Sequence, residues 1–277
     1  MDILMKTEYT QLQDTLIRFF NATRLVLTET DKEKISIEEL ERSFAETGLM
    51  LCGGAILSII TGTKVNDLDF YAKTYESHDR ALVLFEKLGF EKFLITNNAV
   101  TLKRKSTSSN KVWTVQLITR FVGTTPEEIF KTFDFTIIEA AYDFSHDFYA
   151  TTAGAQLTGA FVFGGRFFQD VARRRLVYTG TSNYPICALY RTLKYQKRGY
   201  LLPGATVMHI ALCILRLEIT TYGELKEQLM GIDTLYLQGL LDSEAFEDGV
   251  PIDYGNFITA VFEKLAPDLE LREEFHE

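Results

Sequence analysis

Two carboxylates stand two residues apart, Asp67 and Asp69, in the stretch LCGGAILSIITGTKVNDLDFYAK, with the glycine pair Gly53-Gly54 ahead of them. In an extended strand, residues i and i+2 point to one face, so both carboxylates can grip a single cation. A hard ion such as Mg2+ (or Mn2+) takes oxygen ligands, commonly one or two carboxylates plus substrate phosphates. A two-metal clamp on the attacking and leaving oxygens would use the same ligands. Glycines opening a helix supply backbone N–H donors and let phosphate approach closely. Each pattern is weak alone, since a surface Asp pair and a glycine turn both occur without function. Their order is what carries weight: strand, Gly-Gly, helix, short connection, Asp-x-Asp strand.

The elements that would position these groups follow from periodicity and punctuation. GLMLC reads as a short buried strand, Ala55 to Thr61 as a helix ended by Gly62, and Leu68 to Ala72 as the next strand. Upstream, residues 8–28 have helical spacing, and Ser36 with Glu39 fits a capping box that opens a second helix. Downstream, residues 78–88 are helical up to Gly89. Ala99–Lys103 and Val112–Ile118 read as an antiparallel hairpin, Pro126 opens a helix, and Phe133–Tyr142 is an apolar β-like run. Residues 167–177, 184–200, 205–219 and 223–241 all show helical periods. The expected fold is therefore α+β, a mixed sheet with flanking helices over 1–150, followed by an all-helical domain over 151–277.

Composition sets the class. With 46% hydrophobic and 13% aromatic residues, 277 residues can bury a sizeable core, as one large domain or two small ones. Cys52, Cys187 and Cys213 lie singly, which suggests neither a disulfide framework nor a zinc site. The start shows no signal-peptide pattern and no apolar run is long enough to span a membrane, so a cytoplasmic protein without a membrane partner is expected. The net charge of −9 is unevenly spread. Gly223 to Glu277 holds 14 acidic and 3 basic residues, whereas Arg166 to Arg198 holds 8 basic residues and one acid, Asp170. The latter stretch can present a basic face to phosphates, or form a solvated helix beside an acidic one.

The Gly-Gly, helix, Asp-x-Asp order resembles the catalytic motif of the polymerase-β-like nucleotidyltransferase superfamily. FDFTIIEAAY, residues 133–142, is similar to the RDFTINALAY segment of bacterial CCA-adding enzymes and poly(A) polymerases. FFQDVARRRLVYTG resembles their D-L-x-x-[KR]-x-L-R segment, and NYPICALYRTLKYQKRGY stands where they carry the D-P-x-R-x-x-R helix. The four segments fall in family order across residues 51–200. A stand-alone relative of bacteriophage type fits this resemblance.

The resemblance implies roles. Asp67 and Asp69 would be the metal ligands and catalytic groups, and Gly53 and Gly54 would cradle the triphosphate. Asp134 would contact the nucleotide sugar or support nearby arginines, with a third metal ligand as an alternative. Gln116 stands where some members of the superfamily carry that third carboxylate. Arg191, Lys194 and Arg198, spaced i, i+3 and i+7 on one helix face, would bind the nucleotide, with Tyr190 and Tyr195 as stacking partners. Departures accompany these matches. Leu57-Ser58 replace an Arg-Asp pair after the glycines, Phe133 replaces the Arg before DFT, and Ala188 replaces an Asp that reads the base edge in CCA-adding enzymes. Specific C-then-A addition is therefore not implied. The implied reaction is metal-dependent NMP transfer from an NTP to an acceptor hydroxyl, with an RNA 3′ end (tRNA-like) as acceptor and the site in the cleft between the two domains. The alternatives are a catalytically degenerate nucleotide-binding or protein-interaction member, and a transferase acting on a protein or small molecule.

Overall fold

The computed structural model describes residues 37–105, 112–145, 160–229 and 247–265. The chain divides into two compact units, residues 1–181 and 182–277.

The first unit is built on one mixed seven-stranded sheet. In chain order it runs α1 (Ile37–Thr47), β1 (Leu49–Cys52), α2 (Gly54–Ile60), β2 (Leu68–Ala72), α3 (Tyr75–Lys87), β3 (Glu91–Ile95), β4 (Ala99–Lys105) and β5 (Val112–Ile118). Then come α4 (Pro126–Phe130), a 3-10 turn (Thr136–Ile138), β6 (Ala140–Asp143), β7 (Ala160–Phe163) and α5 (Phe167–Ala172). The strand order is β3-β4-β5-β2-β1-β6-β7, with β2 and β5 parallel and all other neighbours antiparallel.

One face of the sheet is sealed by aromatic rings. Phe44 of α1 lies 5.6 Å from Phe70 of β2, 5.7 Å from Phe85 of α3 and 5.1 Å from Phe144, measured between ring centroids. All four rings are buried, each worth about 1.5–3 kcal/mol of apolar transfer. Because strand side chains alternate, burying Phe70 in this cluster turns its neighbour Asp69 to the opposite face.

Local signals start the helices as expected. Pro126 opens α4 behind Thr125, whose hydroxyl accepts the Glu128 N–H at 3.4 Å. The Glu128 carboxylate reaches back to the Thr124 N–H at 2.7 Å, one residue before the N-cap, a close variant of the capping box.

Other expectations are corrected. Phe133–Tyr142 is not one strand: it makes an isolated bridge at Phe135, then the 3-10 turn, and only Ala140–Asp143 joins the sheet. An apolar run cannot be told from a buried turn by periodicity alone, and here tertiary hydrogen bonds decide. Two short strands, β3 and β7, were not anticipated. β7 pairs with β6, so the sheet continues to Phe163 and the first unit ends at Thr181, later than the 150/151 division read from the sequence. The helix expected over 8–28 and the Ser36–Glu39 capping box lie outside the described residues, as do residues 230–241 of the last expected helix.

In the second unit the regular structure among the described residues is helical: α6 (Pro185–Lys197), α7 (Gly204–Leu215), α8 (Tyr222–Leu229) and α9 (Tyr254–Leu265). Cys187 of α6 and Leu225 and Leu229 of α8 form a small core. None of the described helices is long and apolar enough to cross a membrane.

Candidate active site

β1 stops because Gly53 takes φ +82° and ψ −135°, a region essentially reserved for glycine. Its N–H donates to the Ala140 carbonyl at 2.8 Å, and its own carbonyl accepts from Ile56 and Leu57 at 3.2 and 3.3 Å. The chain thereby turns from strand to helix within one residue. A Cβ on Gly53 would meet the Phe133 ring at 3.6 Å, an ordinary contact, so backbone angle rather than space demands glycine there. Gly54 is the converse. Its φ is not positive, and a Cβ there would meet nothing within 4 Å. Gly53→Ala is expected to destabilise the fold by about 1–3 kcal/mol. Gly54→Ala should leave the melting temperature unchanged without ligand and reduce its rise with Mg2+–NTP, since an added methyl would keep phosphate from the backbone.

Asp69 sits at the centre of the sheet. It is the register partner of Cys52 on β1 and of Gln116 on β5, so Gln116, Asp69, Cys52 and Ala141 form one row across four strands. Asp67 lies one residue before β2, and both carboxylates are half-buried. The Cys52 thiol registers this neighbourhood: complete burial pushes its pKa well above the usual value, and the Asp69 and then Asp143 carboxylates push it further. Cys52 is therefore a neutral thiol at neutral pH, without a nucleophilic role. Asp69 and its register partner Gln116, with Asp67 two residues earlier, offer oxygen donors, the ligand type that a hard cation such as Mg2+ takes. A cavity of about 300 Å3 is lined by Lys64, Val65, Asn66, Leu68, Val112, Trp113 and Thr114, and neither Asp67 nor Asp69 belongs to its lining.

The FDFT segment is locked from behind. The Asp134 carbonyl accepts the Thr179 N–H at 2.9 Å, and Thr136 N–H donates to Val177 at 3.1 Å. The Thr136 hydroxyl donates to Asp170 at 2.7 Å, while Arg166 Nε and Nη2 donate to the same carboxylate at 3.1 and 3.2 Å. Asp170 is completely buried, which is tolerable because its oxygens are satisfied by a hydroxyl and a guanidinium. Sequence reasoning assigned it no role; the signal was its position as the one acid among eight basic residues. Asp134 is 1% exposed, which favours support of its surroundings over direct contact with a nucleotide. Phe133 packs edge-on to Tyr71 at 5.9 Å, so an apolar contact fills the position that is Arg in the resembled family.

Glu139 and Arg166 face a second cavity of about 460 Å3, together with Lys131, Thr136, Tyr178 and Thr179. Burial, and secondarily the Asp170 carboxylate, raise the Glu139 pKa. The folded chain thus holds this proton more tightly than the unfolded chain. Stability is lost as pH rises from about 4.3, the ordinary glutamate value, through the raised value. Glu139→Gln should melt higher than the wild type above that window and equal it below, in melting curves recorded from acidic to neutral pH.

In the second unit, Arg191 and Lys194 lie on α6 and Arg198 is its C-cap. Arg191 and Arg198 are half-buried and Lys194 is exposed. The Arg198 guanidinium lies 5.9 Å from the Tyr195 ring centroid, whereas Tyr195 itself is buried and Tyr190 is exposed. Ala188 is fully buried, so the position of the base-reading Asp is here part of the core.

A curated relative, "Gabija anti-defense 2" of Bacillus phage SPbetaL7, is 28% identical over 211 residues, covering 76% of this chain and 48% of the relative. The chain thus spans about half the length of the curated relative it matches. Among solved structures, a tRNA-processing enzyme in an apo form is similar with a TM-score of 0.48 at 16% identity, over 71% of this chain and 53% of that one. A CCA-adding enzyme in a second apo form is similar with a TM-score of 0.48 at 14% identity, over 78% and 49%. Residues 17–174, more than half of the chain, match the Gad2 family model, and the chain belongs to the Gabija anti-defense 2 family.

Proposed function

We propose that this chain is a metal-dependent nucleotidyltransferase that moves NMP from an NTP to an acceptor hydroxyl, with an RNA 3′ end as the acceptor. We propose further that this transfer serves the anti-defense role for which the family is named. The observation that carries the reading is the row Gln116–Asp69–Cys52 beside the open backbone of Gly54. In the reaction, the acceptor oxygen bonds to the α-phosphorus, the bond to pyrophosphate breaks, and the hydroxyl proton is released. Mg2+ held by Asp67 and Asp69 would supply charge neutralisation on the triphosphate and a lowered pKa for the acceptor hydroxyl. Asp69 on the central strand and Asp67 just before it orient the reacting groups, and Gly54 lets phosphate approach the main chain. The Asp170 clamp holds the FDFT segment, whose Phe133 packs against the Gly53 turn. The burial of Ala188 argues against base selection of the CCA type.

The test is incubation of the purified protein with each α-labelled NTP, Mg2+ or Mn2+, and total tRNA. Label on RNA with the wild type alone supports the reading and names the base. Label on protein moves the acceptor class. Stabilisation by Mg2+–NTP without any label would identify a nucleotide-binding member that has lost turnover; at 100 times its Kd a ligand adds about 2.7 kcal/mol.

A further inference from the structure

One stretch of the first unit carries only basic charge. From Phe93 to Pro126 the sequence carries five basic residues, Lys103, Arg104, Lys105, Lys111 and Arg120, and no acidic one, in a chain of net charge −9. Strand register orders this charge. Lys105 is the partner of Val112, Lys103 of Thr114 and Thr101 of Gln116, and Gln116 is the partner of Asp69. Partners on adjacent strands share a face, and residues i and i+2 on one strand do too. Lys103 and Lys105 therefore stand on the Asp69 face of the sheet, two strand spacings or roughly 10 Å away from β2.

The outer strand adds an exposed ring to this surface, and one carboxylate, Glu91, the register partner of Lys103. All five residues of β3 are exposed, which is unusual for a strand carrying Phe93, Leu94 and Ile95. Phe93 is 60% exposed, and the Lys103 ammonium stands 3.2 Å from its ring centroid. A cation over an exposed ring, with further cations along the same strand, is the combination that holds single-stranded nucleic acid: bases stack on the ring while lysines follow the phosphates. An acidic protein partner would match the charge but has no use for the ring. A neutral apolar partner would leave Lys103 and Lys105 desolvated.

We propose that the β3–β4–β5 face, with Phe93, Lys103 and Lys105, is the track on which a single-stranded RNA 3′ end approaches Asp67 and Asp69. This rests on the nucleotidyltransferase reading and adds where the acceptor lies. Phe93 and the lysines bind the acceptor strand; they take no part in the chemistry.

The probe is a short fluorescein-labelled oligoadenylate, read by anisotropy over a salt series with the full chain. Lys103→Gln/Lys105→Gln should reduce the slope of log affinity against log salt by about 1.4, at roughly 0.7 per phosphate contact on a single strand. Phe93→Ala should weaken binding by about tenfold, the lower part of the range for one lost stacking contact. Both variants should keep wild-type stabilisation by Mg2+–NTP and the wild-type melting temperature, because Phe93 and Lys105 are exposed and Lys103 is only half-buried. If the wild type binds and extends RNA while these variants do the same, the track is overturned and the RNA-acceptor reading stands. Loss of RNA affinity only in Arg191→Gln/Lys194→Gln would overturn it equally. If the wild type does not bind RNA and labels a protein instead, both the track and the RNA acceptor are overturned, while nucleotidyl transfer survives.

Discussion

Asp67→Asn and Asp69→Asn are each expected to lower NMP transfer by about 10³-fold or more, roughly 4 kcal/mol of transition-state stabilisation. Phosphoryl-type transfer depends on positioning and on neutralising charge, and an amide keeps the shape of a carboxylate without its charge. The fold should hardly notice. Both side chains are half-buried, neither belongs to the aromatic core on the far face, and Asn is nearly isosteric with Asp. Melting temperatures should therefore stay close to that of the wild type while label transfer from an α-labelled NTP disappears. Retained transfer in both variants would place the chemistry elsewhere and overturn the proposed site. Gln116→Ala is a milder companion: beside Asp69 in register, it should reduce the rate without abolishing it.

Asp170→Ala is expected to have the largest effect on stability. It removes a buried carboxylate that accepts the Thr136 hydroxyl and two guanidinium hydrogen bonds, and it leaves Thr136 without that partner. Hydrogen bonds to a charged group contribute about 1.5–3 kcal/mol each, and a buried orphan adds its own desolvation, so a loss of about 3 kcal/mol is reasonable. For a unit of this size that is about 6–12 °C in melting temperature. Arg166→Ala should cost clearly less, because the Arg166 side chain is half-exposed and water can take over part of its role. Equal losses for the two substitutions would mean that the ion pair, and not the anchoring of Thr136, is what holds this part of the fold.

The amino-acid sequence by itself determined the local grammar of the molecule. The β1, Gly53 turn, α2 and β2 succession, the start of α4 at Pro126 and the stop of α3 before Gly89 follow from propensities acting over a few residues. The same short-range order singled out Asp67 and Asp69 as candidate ligands. Even Phe133 and Ala188 could be recognised as departures from a motif before their surroundings were known.

Tertiary structure alone decided which distant residues meet. The placement of Gln116 beside Asp69 depends on β5 lying parallel to β2, a register set by packing across the whole sheet. Asp170 finds Thr136 across 34 positions of sequence, and that bond turns an apolar run read as a strand into a locked turn. β3 and β7 were missed because each is short and at a sheet edge, where one neighbouring strand, not the segment itself, supplies the pairing. Lys103 and Lys105 share the sheet face of Asp69 for the same reason. Periodicity reports which way a side chain points along its own strand; hydrogen bonding between strands selects the neighbour it points beside.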